Sequence, residues 1–237
     1  MGRIFEKRKH KMFARFAKMS KAFNRIGKEI QIAIRLGGNG DPKTNPRLRI
    51  AIQNGRALNM PKDRIDAAIK RATDKDTSAY QEIIYEGYAP HGIAVIVECA
   101  TDNPTRTVSN IRHIFQKNGG SLATSGAVDF MFERVGVFSI EPEPTKNFDD
   151  LELELIDFGA EDILKQDDDI LVYTSFHDFG LMQKKLEENN IKVKNAELQR
   201  MPTTSIEITP EQESEVNKLF EELEEDDDVQ AVFNTMK

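Results

Sequence analysis

Apolar residues in the first part of the chain, Met12, Phe16, Met19, Phe23, Ile26, Ile30, Ala33 and Ile34, recur at steps of three and four. At 100° per residue they gather on one stripe, so residues 11–35 are predicted to form an amphipathic helix. The glycines and prolines of Leu36-GGNGDPKTNP end it in a loop. Asn45 is placed to cap, and Pro46 to open, a second helix over RLRIAIQNGRAL, and Pro61 opens a third over KDRIDAAIKRA.

From Ala79 the period shortens to two, which marks strands at 81–88 and 93–100 about the turn Ala89-Pro90-His91-Gly92. A helix over 104–117 packs through Val108, Ile111, Ile114 and Phe115, stops at Asn118-Gly119-Gly120, and is followed by an expected strand at 127–132. Strand 135–141, helix 148–158, strand 163–166, an aspartate turn at 167–169, strand 170–174, helix 179–188 and strand 193–198 come next. Their order, β-α-β-β-α-β, is the ferredoxin-like plan. What remains is an expected strand at 205–209, a helix at 211–224 and a strand at 229–234, a β-α-β half without a partner nearby. Joined to the 93–132 half, it completes a second ferredoxin-like domain and leaves no orphan half-sheet. The predicted fold class is α+β: a helical domain over 1–78, a discontinuous α+β domain over 79–132 plus 204–237, and an inserted ferredoxin-like domain over 133–203.

Charge divides the chain along the same lines. Residues 1–75 hold 20 Lys+Arg against 6 Asp+Glu, whereas the rest holds 13 against 34, so the total of −7 conceals two opposite surfaces. Such asymmetry points to a nucleic-acid-binding module on a body that repels nucleic acid. Arg3, Lys7, Arg8, Lys9, Lys11, Arg15, Lys18, Lys21, Arg25 and Lys28 are the main candidate phosphate contacts, joined by Arg47, Arg49, Lys62 and Arg106. Contacts of this type give affinity rather than sequence choice. The tight turn at Asn59-Met60 suggests a helix-turn-helix that would present Lys62, Arg64, Lys70 and Arg71, but an ordinary helical hairpin with a charged outer face explains the same pattern.

Other chemistries find little support. The lone Cys99 excludes an intramolecular disulfide and sits in the apolar run IAVIVECA, as a buried residue would. The glycine loop lacks the Gly-Lys-Ser/Thr ending of a P-loop, and the acidic runs lack the ligand pattern of a calcium loop. The four histidines show no metal-ligand spacing, so no metal, cofactor or enzyme activity is expected. No stretch approaches the ~20 apolar residues of a membrane span, and a cytoplasmic protein is expected. Thr101 or Asn103 is placed to cap the helix begun by Pro104, with backbone phosphate contact through Arg106 as the functional alternative.

The runs NPRLRIAI, NMPKDRIDAAIKRAT, YEGYAPHGIAVIVECATDNPTRTVSNIRHIFQKNGGSLATSGAVDFMFERVGV and EEDDDVQAVFNT together resemble the YebC/PmpR family. The resemblance covers nearly the whole chain and implies a helical domain followed by two α+β domains. It departs at the N-terminus, where Gly2-Arg3-Ile4-Phe5-Glu6-Lys7 stands in place of a Gly-His-Ser-Lys-Trp type segment. It also implies one of two functions, a DNA-binding transcriptional regulator or a ribosome-associated translation factor that eases proline-rich stretches. Either partner, DNA or ribosomal RNA, is a polyanion.

Overall fold

A computed structural model describes residues 3–74, 80–141, 147–166 and 169–237; within the first helix, side chains are described from Lys18 onward. The described residues form an α+β fold. Three helices, α1 (Arg3–Gly37), α2 (Pro46–Ala57) and α3 (Lys62–Thr73), come first. Strands β1 (Gln81–Tyr88) and β2 (Ala94–Thr101), helix α4 (Pro104–Lys117) and the two-residue strand β3 (Ser121–Leu122) follow. Then come β4 (Phe132–Ile140), α5 (Phe148–Asp157), β5 (Ala160–Gln166), β6 (Asp169–Ser175), α6 (Phe179–Glu188) and β7 (Val193–Pro202). Helix α7 (Pro210–Glu225) and strand β8 (Val229–Asn234) complete the chain.

Two compact units result. One gathers Met1–Ile83, Cys99–Thr107 and Glu224–Gln230; the other gathers Ile84–Glu98, Val108–Leu223 and Ala231–Lys237. In the first, the stripe of α1 is buried as its spacing predicts: Phe23, Ile26, Ile30, Ala33 and Ile34 pack with Leu48, Ala51 and Ile52 of α2 and with Met60, Ile65 and Ala68. Asn45 fastens two helix ends at once. Its Nδ2 donates to the Ala33 carbonyl at 2.8 Å, and its Oδ1 accepts from Leu48 N at 3.1 Å, so one amide caps the free first turn of α2 and ties it to the last turns of α1.

In the second unit β4 to β7 form a sheet of order β5-β6-β4-β7, the ferredoxin-like arrangement. Strand β4 sits between antiparallel neighbours, with Val137 opposite Tyr173 of β6 and Glu197 of β7. Phe138, Ile140, Ile170, Val172, Leu151, Leu155, Met182 and Leu186 are all buried, each side chain contributing about 1.5–3 kcal/mol of transfer free energy. The other sheet has the order β3-β1-β2-β8. It repeats the same spatial plan, with β1 in the inner place that β6 fills in its counterpart.

That placement corrects two expectations. The strand expected at 127–132 does not form before Phe132, where β4 begins: the α4 connection ends in Ser121–Leu122, and Asp129–Met131 is a turn of 3-10 helix. The cause is Glu86, buried on β1, whose carboxylate accepts from the backbone N–H groups of Gly126, Val128 and Asp129 at 2.6, 2.7 and 3.0 Å. Those donors are thereby withdrawn from any ladder. Residues 205–209 likewise form no full strand; Ile206 makes a single parallel bridge to Met236, and Thr209 caps α7. The inner strand expected there is supplied by β1 instead. The expected aspartate turn falls partly on residues 167–168, outside the described residues.

Candidate nucleic-acid interface

Among the cations of α1, Arg3, Lys7, Arg8, Lys9, Lys11 and Arg15 lie on its N-terminal part, where side chains are outside the described residues. Lys18 is exposed. The next three are gathered onto the turn between α7 and β8. Lys21 Nζ donates to the Glu225 carbonyl at 2.8 Å; Arg25 donates to the carbonyls of Glu224 at 3.0 Å and Val229 at 3.1 Å. The Glu224 and Glu225 carbonyls are among the last of α7, which have no partner within their own helix, and cations at that end also complement its dipole; the Val229 carbonyl belongs to the first residue of β8.

Lys28 goes further and is no phosphate contact. It is 9% exposed, and its ammonium donates to Asp228 Oδ1 at 2.8 Å, the Asp227 carbonyl at 2.8 Å and the Ala100 carbonyl at 2.9 Å. An ammonium has three N–H donors and all three are engaged. The expectation that Lys28 faces nucleic acid fails because the fold uses it as an internal tie.

Asp228 is the centre of that tie. Besides Lys28 it receives Arg106 Nη2 at 2.7 Å, Thr107 Oγ1 at 2.8 Å and Thr101 Oγ1 at 3.3 Å. Burial pushes its carboxyl up, but the hydrogen bonds from Lys28, Arg106 and Thr107 prevail and hold it at about 2. Asp228 also raises Arg106, chiefly by that hydrogen bond, with Asp102 assisting at 3.1 Å. Asn103 caps α4 by accepting from Arg106 N at 3.1 Å, while Thr101 Oγ1 accepts from Asn103 N at 2.9 Å. The capping role is the one this geometry displays. Arg106 thus reaches solvent with about half its side chain while already facing two carboxylates.

Arg47 pairs with Glu82, and Arg49 donates to the Pro42 carbonyl at 3.2 Å. Lys62 is exposed, as are Arg56, Arg64, Lys70 and Arg71 on α2 and α3, with Arg64 lying over the Phe23 ring. The structure therefore collects Lys21, Arg25, Lys28 and Arg106 about one turn, and keeps Lys18 and Lys62 exposed. Sequence reasoning missed Asp228 because it read the acidic run as solvated. A usable signal was its position directly before Val229, the buried first residue of β8.

Two family models account for the chain. One, described as the TACO1/YebC protein N-terminal domain, matches residues 3–75, and the other, the TACO1/YebC second and third domain, matches residues 80–236. A probable transcriptional regulatory protein of Cytophaga hutchinsonii is 55% identical over 236 residues, covering 100% of this chain and 98% of the relative. One so named from Parabacteroides distasonis is 48% identical over 237 residues, covering 100% of this chain and 97% of that relative. The crystal structure of a conserved hypothetical protein from Aquifex aeolicus is similar with a TM-score of 0.82 at 37% identity, covering 93% of this chain and 91% of that one. By these matches the chain belongs to the TACO1/YebC family.

Proposed function

We propose that this protein is a non-enzymatic, cytoplasmic nucleic-acid-binding regulator of gene expression whose N-terminal helices supply the phosphate-binding surface. The observation that carries the reading is the concentration of 20 of the chain's 33 Lys+Arg in residues 1–75. The naming of its relatives as probable transcriptional regulatory proteins supports it. The contacting residues are Arg3, Lys7, Arg8, Lys9, Lys11, Arg15 and Lys18, with Lys62, Arg47 and Arg49 at the margin; Lys21, Arg25 and Arg106 offer phosphates only those N–H groups that the fold leaves over. In the same reading the chain comprises a helical domain over 1–78 and two α+β domains, 79–132 plus 204–237 and 133–203.

If about six phosphates are engaged on duplex DNA, log affinity falls with log salt at a slope near −5. The K7Q/R8Q/K9Q/K11Q variant, losing four of those contacts, is expected to show a slope near −2 by fluorescence anisotropy across roughly 50–200 mM salt. A salt-independent affinity for the intact chain would reject the mechanism. Titrating matched DNA and RNA duplexes in parallel, and pelleting with ribosomes, identifies which polyanion is preferred.

A further inference from the structure

The turn that receives Lys21, Arg25 and Lys28 does so almost wholly through its backbone. The acceptors are the carbonyls of Glu224, Glu225, Asp227 and Val229, together with the side chain of Asp228, which takes the Lys28 ammonium. Asp226 accepts from the Asp228 N–H at 2.8 Å and shapes the turn. Glu224, Glu225 and Asp227 are exposed, and among the described residues no side-chain hydrogen bond or ion pair engages their carboxylates. Two of these charges also stand at the end of α7, where the helix dipole disfavours anions. Three carboxylates that make no side-chain hydrogen bond or ion pair among the described residues, two of them placed where helix electrostatics oppose them, have no structural account in those contacts.

Their surroundings give them one. Their own backbone carbonyls lie 2.8–3.0 Å from the cationic nitrogens of Lys21, Arg25 and Lys28. The carboxylates therefore stand within about one Debye length, ~8 Å at physiological salt, of the middle of α1. We infer that Glu224, Glu225 and Asp227 form an anionic screen that keeps phosphates off this side of α1 and confines the nucleic-acid footprint to the remaining cations. The inference rests on the phosphate-binding role proposed above and adds a limit to it. The screen lowers affinity for arbitrary polyanions without touching the ties that hold the turn.

The test uses the full chain carrying E224Q/E225Q/D227N, a substitution that leaves every backbone acceptor in place. Against a random-sequence DNA duplex at low salt, the variant should bind about threefold more tightly or better, with a steeper salt dependence. A control with as many carboxylates removed from α5, D149N/D150N/E152Q, should bind as the parent does. Tightening in the control equal to that in the variant would reduce the effect to net charge and overturn the screen. Parent binding with salt dependence, but no gain in the variant, also overturns it and leaves the proposed function standing. If neither parent nor variant binds DNA or RNA, both fall. Binding by the variant alone would support the screen in its strongest form. A lowered thermal midpoint in the variant counts against it, since the carboxylates would then be carrying structure.

Discussion

Asp228 shows how much one side chain can hold that its neighbours in sequence do not. Its folded carboxyl is held at about 2 against an ordinary 3.8. Because the folded value is the lower one, the stabilisation is fully present above about pH 4 and is lost as pH falls toward 2. That difference corresponds to about 2 kcal/mol. Replacing Asp228 with Asn leaves the Lys28 ammonium buried against a neutral amide, and breaking a buried pair from one side costs roughly 3–5 kcal/mol. Urea unfolding of D228N at pH 7 should show a loss of that order, and the gap to the parent should narrow as both are taken toward pH 2. Equal stability at pH 7 would mean the tie is dispensable. Little of this was legible in the sequence, where Asp226, Asp227 and Asp228 differ only in how closely each precedes the apolar Val229. What separates them is the direction each side chain takes as the chain enters β8.

At the scale of elements, the sequence was read correctly wherever one strong period ran for several turns or residues. Helices α1 to α7 and strands β1, β2, β4, β6 and β8 lie where spacing and caps put them, because burial of one face enforces both period and register. The strand expected at 127–132 was misread because the conformation of that stretch is imposed from elsewhere. Glu86 accepts the N–H groups of Gly126, Val128 and Asp129, and Arg200, with a side chain only 4% exposed, holds Asp129 at 2.6 Å and Glu98 at 2.8 Å. Such long-range polar anchors have no periodic trace. Close packing also lies outside what a pattern can show: a Cβ on Gly87 would stand 2.7 Å from the Ser121 carbonyl and 2.8 Å from the Phe115 ring, so β1 meets β3 and α4 only as glycine. Substituting Glu86 with Gln keeps the size but turns one acceptor oxygen into a donor facing backbone N–H groups. The expected loss is about 1–3 kcal/mol, with amide hydrogen exchange accelerating first at Gly126, Val128 and Asp129. Uniform acceleration across the unit, without that local excess, would contradict the anchoring role.

At the scale of the whole molecule, charges that are segregated along the sequence are partly mixed in space. The compact unit built on α1 to α3 recruits Cys99–Thr107 and Glu224–Gln230 from the acidic remainder. Those two segments bring six carboxylates and a single arginine to the cationic helices. Residues 1–78 alone hold 20 Lys+Arg and 7 Asp+Glu, a density at which self-repulsion opposes compactness. Their apolar core is nevertheless internal, since Phe23 through Ala68 pack with one another. A fragment of residues 1–78 should therefore still form helix, but with a thermal midpoint that rises as KCl is increased from roughly 50 to 500 mM, where the Debye length shrinks from over 10 Å to a few ångströms. The intact chain, with its own carboxylates already at Lys28 and Arg106, should respond more weakly over the same range. Circular dichroism melts of the two at matched salt make the comparison. A fragment midpoint indifferent to salt would show that its helices tolerate their charge unaided. The acidic segments would then be joined to them by packing, with electrostatic compensation contributing nothing.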